Sequence, residues 1–462
     1  MIHRRDCMIR LGQLGAGALT LPALLRAERA RSSTSAIRSG AKARSCILVY
    51  LWGGPPQQDM WDLKPEAPDG IRSQFQPIQT AVPSIHICDQ MPLLARHTDK
   101  LAIVRSLTHD SNNHEPSVYR TLTGRSNPTL VVPRNQRNRF DFPNLPGVVS
   151  YFTPKSGMPA SVTIPRPIGH DGVTYSGTYA GFLGPAYDPL ELRAAGEVNV
   201  AATHTLDLPE SLDTTRLIAR RGLVDLIESS DRAIQASGAT AGLDAFREQA
   251  YRMLADPAAK GAFKLDLESP AVRDRYGRNE YGESFLLARR MVEAGVRLVT
   301  IVWVYICPDG NVANVWDNHG GTGSLGGISG FAMLKEKYCL PPLDQGLSAL
   351  LDDLASRGLL DDTLVAAYGE FGRTPKINNQ AGRDHWGMCQ SVVLAGGGIR
   401  GGQVFGASDR HAAYPKEDPV SPEDLLATMY HALGLSPETE IRDPQGRPHR
   451  ICEGQPILSL FG

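Results

Sequence analysis

The chain is constrained above all by six short apolar runs, each ending in a polar or glycine-rich loop. They are CILVYLW (46–52), LAIVRSL (101–107), ASVTIP (160–165), VRLVTIVWV (296–304), TLVAAYGE (363–370) and SVVLAG (391–396). Apolar runs that do not alternate with polar residues predict strands buried on both faces. Between them, TRLIARRGLVDLIESSDRAI (215–234), NEYGESFLLARRMVEAG (279–295) and LDQGLSALLDDLASRG (343–358) repeat apolar residues at spacings of three and four. That period predicts amphipathic helices, with Gly358 placed as a C-terminal cap. The expected fold class is therefore α/β, a mainly parallel sheet flanked by helices on both faces. Ligands of such sheets bind beyond the carboxyl ends of the strands, so the loops after the runs are where chemistry belongs.

Bulk charge excludes little but is informative in one respect. Lys and Arg number 48 against 49 Asp and Glu, so nothing points to a nucleic-acid partner. No run reaches the roughly 18 apolar residues that predict a transmembrane segment. The N-terminus pairs Arg4 with Arg5 and follows them with a mildly apolar, Gly- and Ala-rich stretch from Leu11 to Leu25. This order predicts a twin-arginine export signal over residues 1–30, an amphipathic or irregular segment being the other reading. Export would place the mature protein in the periplasm or outside the cell. A polar linker over 31–44 then precedes a single domain, 45–462, with a loop-rich insertion near 126–160 and a helical insertion near 196–280. Seven cysteines show neither CxxC nor other metal-ligand spacing, and Cys46 and Cys389 read as small buried hydrophobes.

Four loops concentrate titratable groups. WGGPPQQDMWD exposes Asp59 and Asp62, two carboxylates spaced to share a divalent cation or to cap a turn. THDSNNHEPSVYRTLTG carries His109, Asp110, His114 and Glu115, with the two histidines as candidate ligands, acids or bases. VWDNHGG sets Asp317 two residues from His319, a carboxylate and imidazole pair suited to a divalent metal. EFGRTPKINNQAGRDHW brings Glu370, Arg373, Arg383, Asp384 and His385 together after an apolar strand. Its arginines are suited to hold a tetrahedral oxyanion, or else to a structural ion-pair network. Oxygen donors mixed with imidazoles are what one or two ions of Zn, Mn, Mg or Ca require.

These stretches together, from LWGGPPQQDMWDLKPEAPDGIR through WDNHGG to GEFGRTP and GRDHW, resemble the bacterial domain of unknown function 1501 over roughly 45–460. The resemblance implies a twin-arginine leader and an alkaline-phosphatase/sulfatase-like fold. It implies a metal-binding Asp after the first strand (Asp59 or Asp62), the Asp317 and His319 pair, the Glu370 carboxylate and a last ligand at His385. It also exposes three departures. Against the sulfatase pattern Cys/Ser-x-Pro-Ser-Arg, the segment HEPSV has His114 at the nucleophile and Val118 at the arginine, and Phe371 stands where a histidine follows the strand-end carboxylate. The expected function is a metal-dependent hydrolase of a small sulfate or phosphate ester, or of a sulfated glycan. His114 or His109 would then serve as nucleophile or base, and Arg373 or Arg383 as anion holder. The alternative is a catalytically inactive binding or structural protein on the same scaffold.

Overall fold

The computed structural model describes residues 40–126, 137–154, 156–169, 173–192, 216, 241–307 and 312–462. Eight strands form the central sheet: β1 (Ser45–Tyr50), β2 (Leu101–Leu107), β3 (Ser161–Ile164), β4 (Leu190–Glu191), β5 (Leu298–Val302), β6 (Thr363–Tyr368), β7 (Gln390–Ala395) and β8 (Gln403–Phe405). Their spatial order is β8-β2-β7-β6-β1-β5-β3-β4. Only β7 runs against its neighbours, β6 and β2; the other pairings are parallel. Each of the six apolar runs is a strand of this sheet, which bears out the α/β, mainly parallel expectation.

The two faces of β1 explain why its sequence does not alternate. Ile47, Val49 and Leu51 enter one hydrophobic core, while Cys46, Leu48 and Tyr50 enter the other. Adjacent side chains of a strand point to opposite faces, so a sheet covered on both sides needs an apolar residue at every position. Each aliphatic side chain so buried contributes about 1.5–3 kcal/mol. Helices α1 (His114–Thr123), α2 (Leu145–Phe152) and α5 (Pro422–Ala432) cover the second face; α3 (Glu280–Glu293) and α4 (Leu340–Ser356) cover the first. Helix α3 starts where Asn279 accepts from the backbone N–H groups of Tyr281 and Gly282, and Gly358, with φ +67°, follows the end of α4.

Two regions need comment. The stretch 126–160, expected to be irregular with little core, contributes helix α2, whose Leu145, Val148 and Val149 are buried. Asn144 caps it by accepting from Gly147 N at 2.8 Å, a signal that the surrounding prolines and arginines obscure. Of the 196–280 stretch, helices Ala241–Ala255, Pro257–Ala262 and Pro270–Tyr276 are described; the rest of the helix expected over 215–234, apart from Arg216, and the export segment lie outside the described residues. The six cysteines among the described residues are all buried, Cys46 and Cys389 among them. No helix among the described residues is long and apolar enough to cross a membrane.

Candidate metal centre

Loops after β1, β2, β5 and β6 meet at the carboxyl edge of the sheet around one side chain, Asp317. The meeting depends on close backbone approach at Gly53, which follows β1 with φ +120°. A Cβ there would lie 2.3 Å from Asp317 N, so no other residue fits. Gly53 N in turn donates to both oxygens of Glu370, at 2.9 and 3.1 Å. One glycine thus locks the β1 loop to Asp317 and to the carboxylate that follows β6.

His114 is the first residue of α1 and points back over the sheet edge. The helix is fixed from below, since Tyr50 OH and Thr121 Oγ1 are 2.8 Å apart and Tyr368 OH donates to Thr121 O at 3.3 Å. His114 Nδ1 lies 2.6 Å from Glu370 Oε1, and Nε2 lies 3.3 Å from Asp317 Oδ2. His385 arrives from the hairpin Gly372–Ile377/Arg383–Trp386, directly across from Arg373 in the register. Both reach the same oxygen: His385 Nε2 is 2.9 Å and Arg373 Nη2 2.7 Å from Asp317 Oδ1. His319 Nε2 approaches Asp317 Oδ2 at 3.2 Å. Ligand atoms of His114, Asp317 and His385 all lie within 4.8 Å of one another, the one such group among the described residues.

The protons on these rings can be assigned from their partners. His385 Nδ1 is 2.9 Å from Asn112 O, and His319 Nδ1 is 2.9 Å from Gly320 O. A carbonyl oxygen only accepts, so both Nδ1 atoms carry hydrogen. His114 Nδ1 faces the Glu370 carboxylate and donates likewise. All three Nε2 atoms therefore present a lone pair to Asp317 unless each gains a second proton or a cation lies between. Electrostatics agree. Burial lowers the His114 pKa, but hydrogen bonds to Asp317 and Glu370 outweigh it and raise it to about 9. The Asp317 bond raises His319 as well. Burial would raise Asp317, yet Arg373 and the three imidazoles hold it well below the usual carboxylate range.

The other expected site residues are engaged by the protein itself, within the cluster or away from it, each for a visible reason. Arg373 is fully buried. It donates to Gly54 O, Gly53 O, Trp316 O and Arg383 O as well as to Asp317, and its burial keeps it from reaching a substrate anion. Arg383, also buried, grips Asp59 with Nε to Oδ2 at 2.7 Å and Nη2 to Oδ1 at 2.9 Å. Asp59 is therefore an ion-pair partner, not a metal ligand. Asp62 accepts from Ser408 Oγ and pairs with Lys64 Nζ at 2.9 Å, away from the cluster. Asp384 is exposed and accepts from Asn378 Nδ2 at 2.9 Å. His109 donates from Nε2 to Glu370 O at 2.6 Å and accepts at Nδ1 from Ser111 N at 3.2 Å. Burial keeps it neutral, so it holds the Glu370 backbone rather than facing the site. Glu370 has both oxygens engaged and orients His114 from behind. Sequence reasoning missed Gly53, although the GG pair after a strand was its signal, and the carbonyl of Asn112, which has none.

A family model described as "Protein of unknown function (DUF1501)" matches residues 43–461. The chain belongs to the DUF1501 family. No curated protein matches it. Among solved structures, this DUF1501 chain is similar to Ps i-CgsB in complex with k-i-k-neocarrahexaose at 11% identity, covering 85% of this chain and 72% of that one, with a TM-score of 0.40. It is similar to the phosphonate monoester hydrolase SpPMH from Silicibacter pomeroyi at 12% identity, 90% and 76% coverage, and a TM-score of 0.38. The lipoteichoic acid synthase LtaP from Listeria monocytogenes follows at 10% identity, 88% and 78% coverage, and a TM-score of 0.34. At these values the DUF1501 architecture rests on its own strand order and registers.

Proposed function

We propose that this DUF1501 chain is an exported, metal-dependent hydrolase of a sulfate- or phosphate-type ester, with His114, Asp317 and His385 as ligands of one divalent ion. The observation that carries the reading is the direction of the three imidazoles: every Nδ1 proton is already donated, and every Nε2 is aimed at one part-buried carboxylate. Two or three imidazolium ions crowded with Arg373 would set three or four positive charges against the two carboxylates of Asp317 and Glu370, a costly arrangement. Two nitrogens and one oxygen match the three-ligand sets of open, catalytic zinc-type sites. Glu370 behind His114 and Asn112 O behind His385 supply the outer hydrogen bonds that orient such ligands. A bound divalent ion would activate water and polarise an ester oxygen.

The chain's own groups then divide the remaining work. His114 and Asp317 side chains are 14% exposed, whereas His385 is 28% and His319 43% exposed. Solvent and substrate therefore reach the centre from the His319 and His385 side. His319, raised in pKa by Asp317, is placed there to give or take a proton. His114 is read as a ligand rather than the nucleophile, since both its nitrogens are engaged.

The burial of Arg373 and Arg383, which keeps both from holding a transferring anion, favours a second reading, a metal-binding or structural centre without turnover. The test is a panel of aryl sulfates, phosphate mono- and diesters and phosphonate monoesters, assayed with added zinc or manganese and again after chelation. Chelator-sensitive turnover that is lost in His385→Ala supports the hydrolase. Stoichiometric metal without turnover of any ester moves the function to binding, and folded protein that takes up no metal sinks both.

A further inference from the structure

Acids and imidazoles in the four loops are numerous enough for two ions, yet among the described residues a single group of possible ligands gathers, around Asp317. Phe371 lies fully buried beneath the cluster. Its ring centroid is 4.9 Å from that of His114 and 4.6 Å from that of His385. The ring is clamped from the far side by Gly54, where a Cβ would lie 2.5 Å from Phe371 Cδ2. An aromatic ring thus forms the floor on which both candidate ligands rest, and it offers no donor atom. The remaining flank of Asp317 is taken by the Arg373 guanidinium, 2.7 Å from Oδ1, with its Cζ 5.6 Å from the Phe371 centroid. Glu370 is fully buried and is already held by Gly53 N and His114 Nδ1.

We infer that the centre is limited to a single divalent ion, with Arg373 standing as a fixed cation and Phe371 as an apolar floor where a second ion would need ligands. The inference rests on the metal-centre reading and narrows it. A hard second cation requires several oxygen or nitrogen donors and is repelled by a buried guanidinium that cannot lose its proton. Arg373 and Phe371 are positioning residues here: one holds Asp317 on its main-chain perch, and the other packs the imidazoles.

Native mass spectrometry of the full chain, loaded with excess zinc and desalted, reads the number directly. One zinc per chain is expected, and manganese-loaded protein should show the spectrum of isolated Mn(II) by electron paramagnetic resonance. Two zincs, or a spin-coupled manganese signal, overturn the inference while leaving the hydrolase reading intact. No zinc at all overturns both. In a Phe371→His/Arg373→Gln double variant a second zinc is expected; a folded double variant that still holds only one ion refutes the role given to these two residues. If the double variant does not fold, Phe371→His alone is titrated with manganese, where a second, weaker ion is expected and its absence counts against the Phe371 assignment.

Discussion

The hairpin Gly372–Ile377/Arg383–Trp386 sends an arginine to each of two carboxylates, one buried and one part-buried, and the two meetings differ in what is left over. Arg383 and Asp59 are both fully buried, bonded twice to each other, and the spare donors of Arg383 go to Thr374, Pro375 and Ile71 carbonyls. That pair is closed: equal charges, paired geometry, nothing pointing outward. Ten residues earlier, Arg373 meets Asp317, but three imidazoles also crowd that carboxylate, and the side chain stays 14% exposed. Here cationic and lone-pair groups exceed what one carboxylate can satisfy. A titratable cluster becomes a candidate site through unspent capacity rather than through the mere presence of charge.

The strongest way to break this contrast is to remove each carboxylate in turn. Asp317→Asn keeps the shape but deletes the anion all three imidazoles share, so metal uptake measured by equilibrium dialysis should fall by more than about 100-fold, beyond the effect usual for outer hydrogen-bond partners. Asp59→Ala should instead leave a buried, unpaired Arg383 and cost about 3–5 kcal/mol of folding stability, read from guanidinium unfolding of chelated protein. Should Asp59→Ala unfold at the wild-type midpoint yet lose metal, the assignment of the two carboxylates would be reversed.

Much of the fold was legible because burying a sheet on both sides demands continuous apolar runs, and 46–50, 101–104 and 364–368 supply them. The single antiparallel strand, Gln390–Ala395, was not, since its sequence has the same apolar texture as its parallel neighbours. Within the site, Asp317, His319, Glu370 and His385 were legible as donors following strands. What stayed hidden was which charges are consumed internally. Arg373 spends its donors on carbonyls of Gly53, Gly54, Trp316 and Arg383, and a carbonyl acceptor leaves no trace in side-chain identity. Phe371 was visible as a departure, but its position beneath two imidazoles is a packing fact.

The titration of His114 sharpens the contrast more gently. Its pKa is raised from 6.5 to about 9, so between these values a cation must displace a proton from Nε2. Apparent metal affinity should therefore rise with pH, by up to about tenfold per unit, and level off above about pH 9. Chelated protein should slope the other way. A raised folded-state pKa gives stability that is fully present below pH 6.5 and is lost as pH rises through about 9, at most on the order of 3 kcal/mol. Calorimetric metal titrations and unfolding midpoints at pH 6, 7.5 and 9 check both signs, and affinity that is flat with pH would remove His114 from the ligand set.

The smallest expected effect concerns His319, which sits on the border between the two kinds of region. Its Nε2 is near Asp317, but its side chain is the most exposed of the three, and its Nδ1 bonds to the carbonyl of the next residue, Gly320, rather than to a distant element. A ligand held only by its own loop is poorly preorganised compared with His114, which a buried glutamate and a packed helix fix. His319→Ala is therefore expected to weaken metal binding less than tenfold while lowering any ester turnover and shifting its pH profile, because the group lost is one that exchanges protons with solvent. A loss of affinity as large as that of His385→Ala would instead make His319 a fourth ligand, and the open side of the centre would have to be sought elsewhere around Asp317.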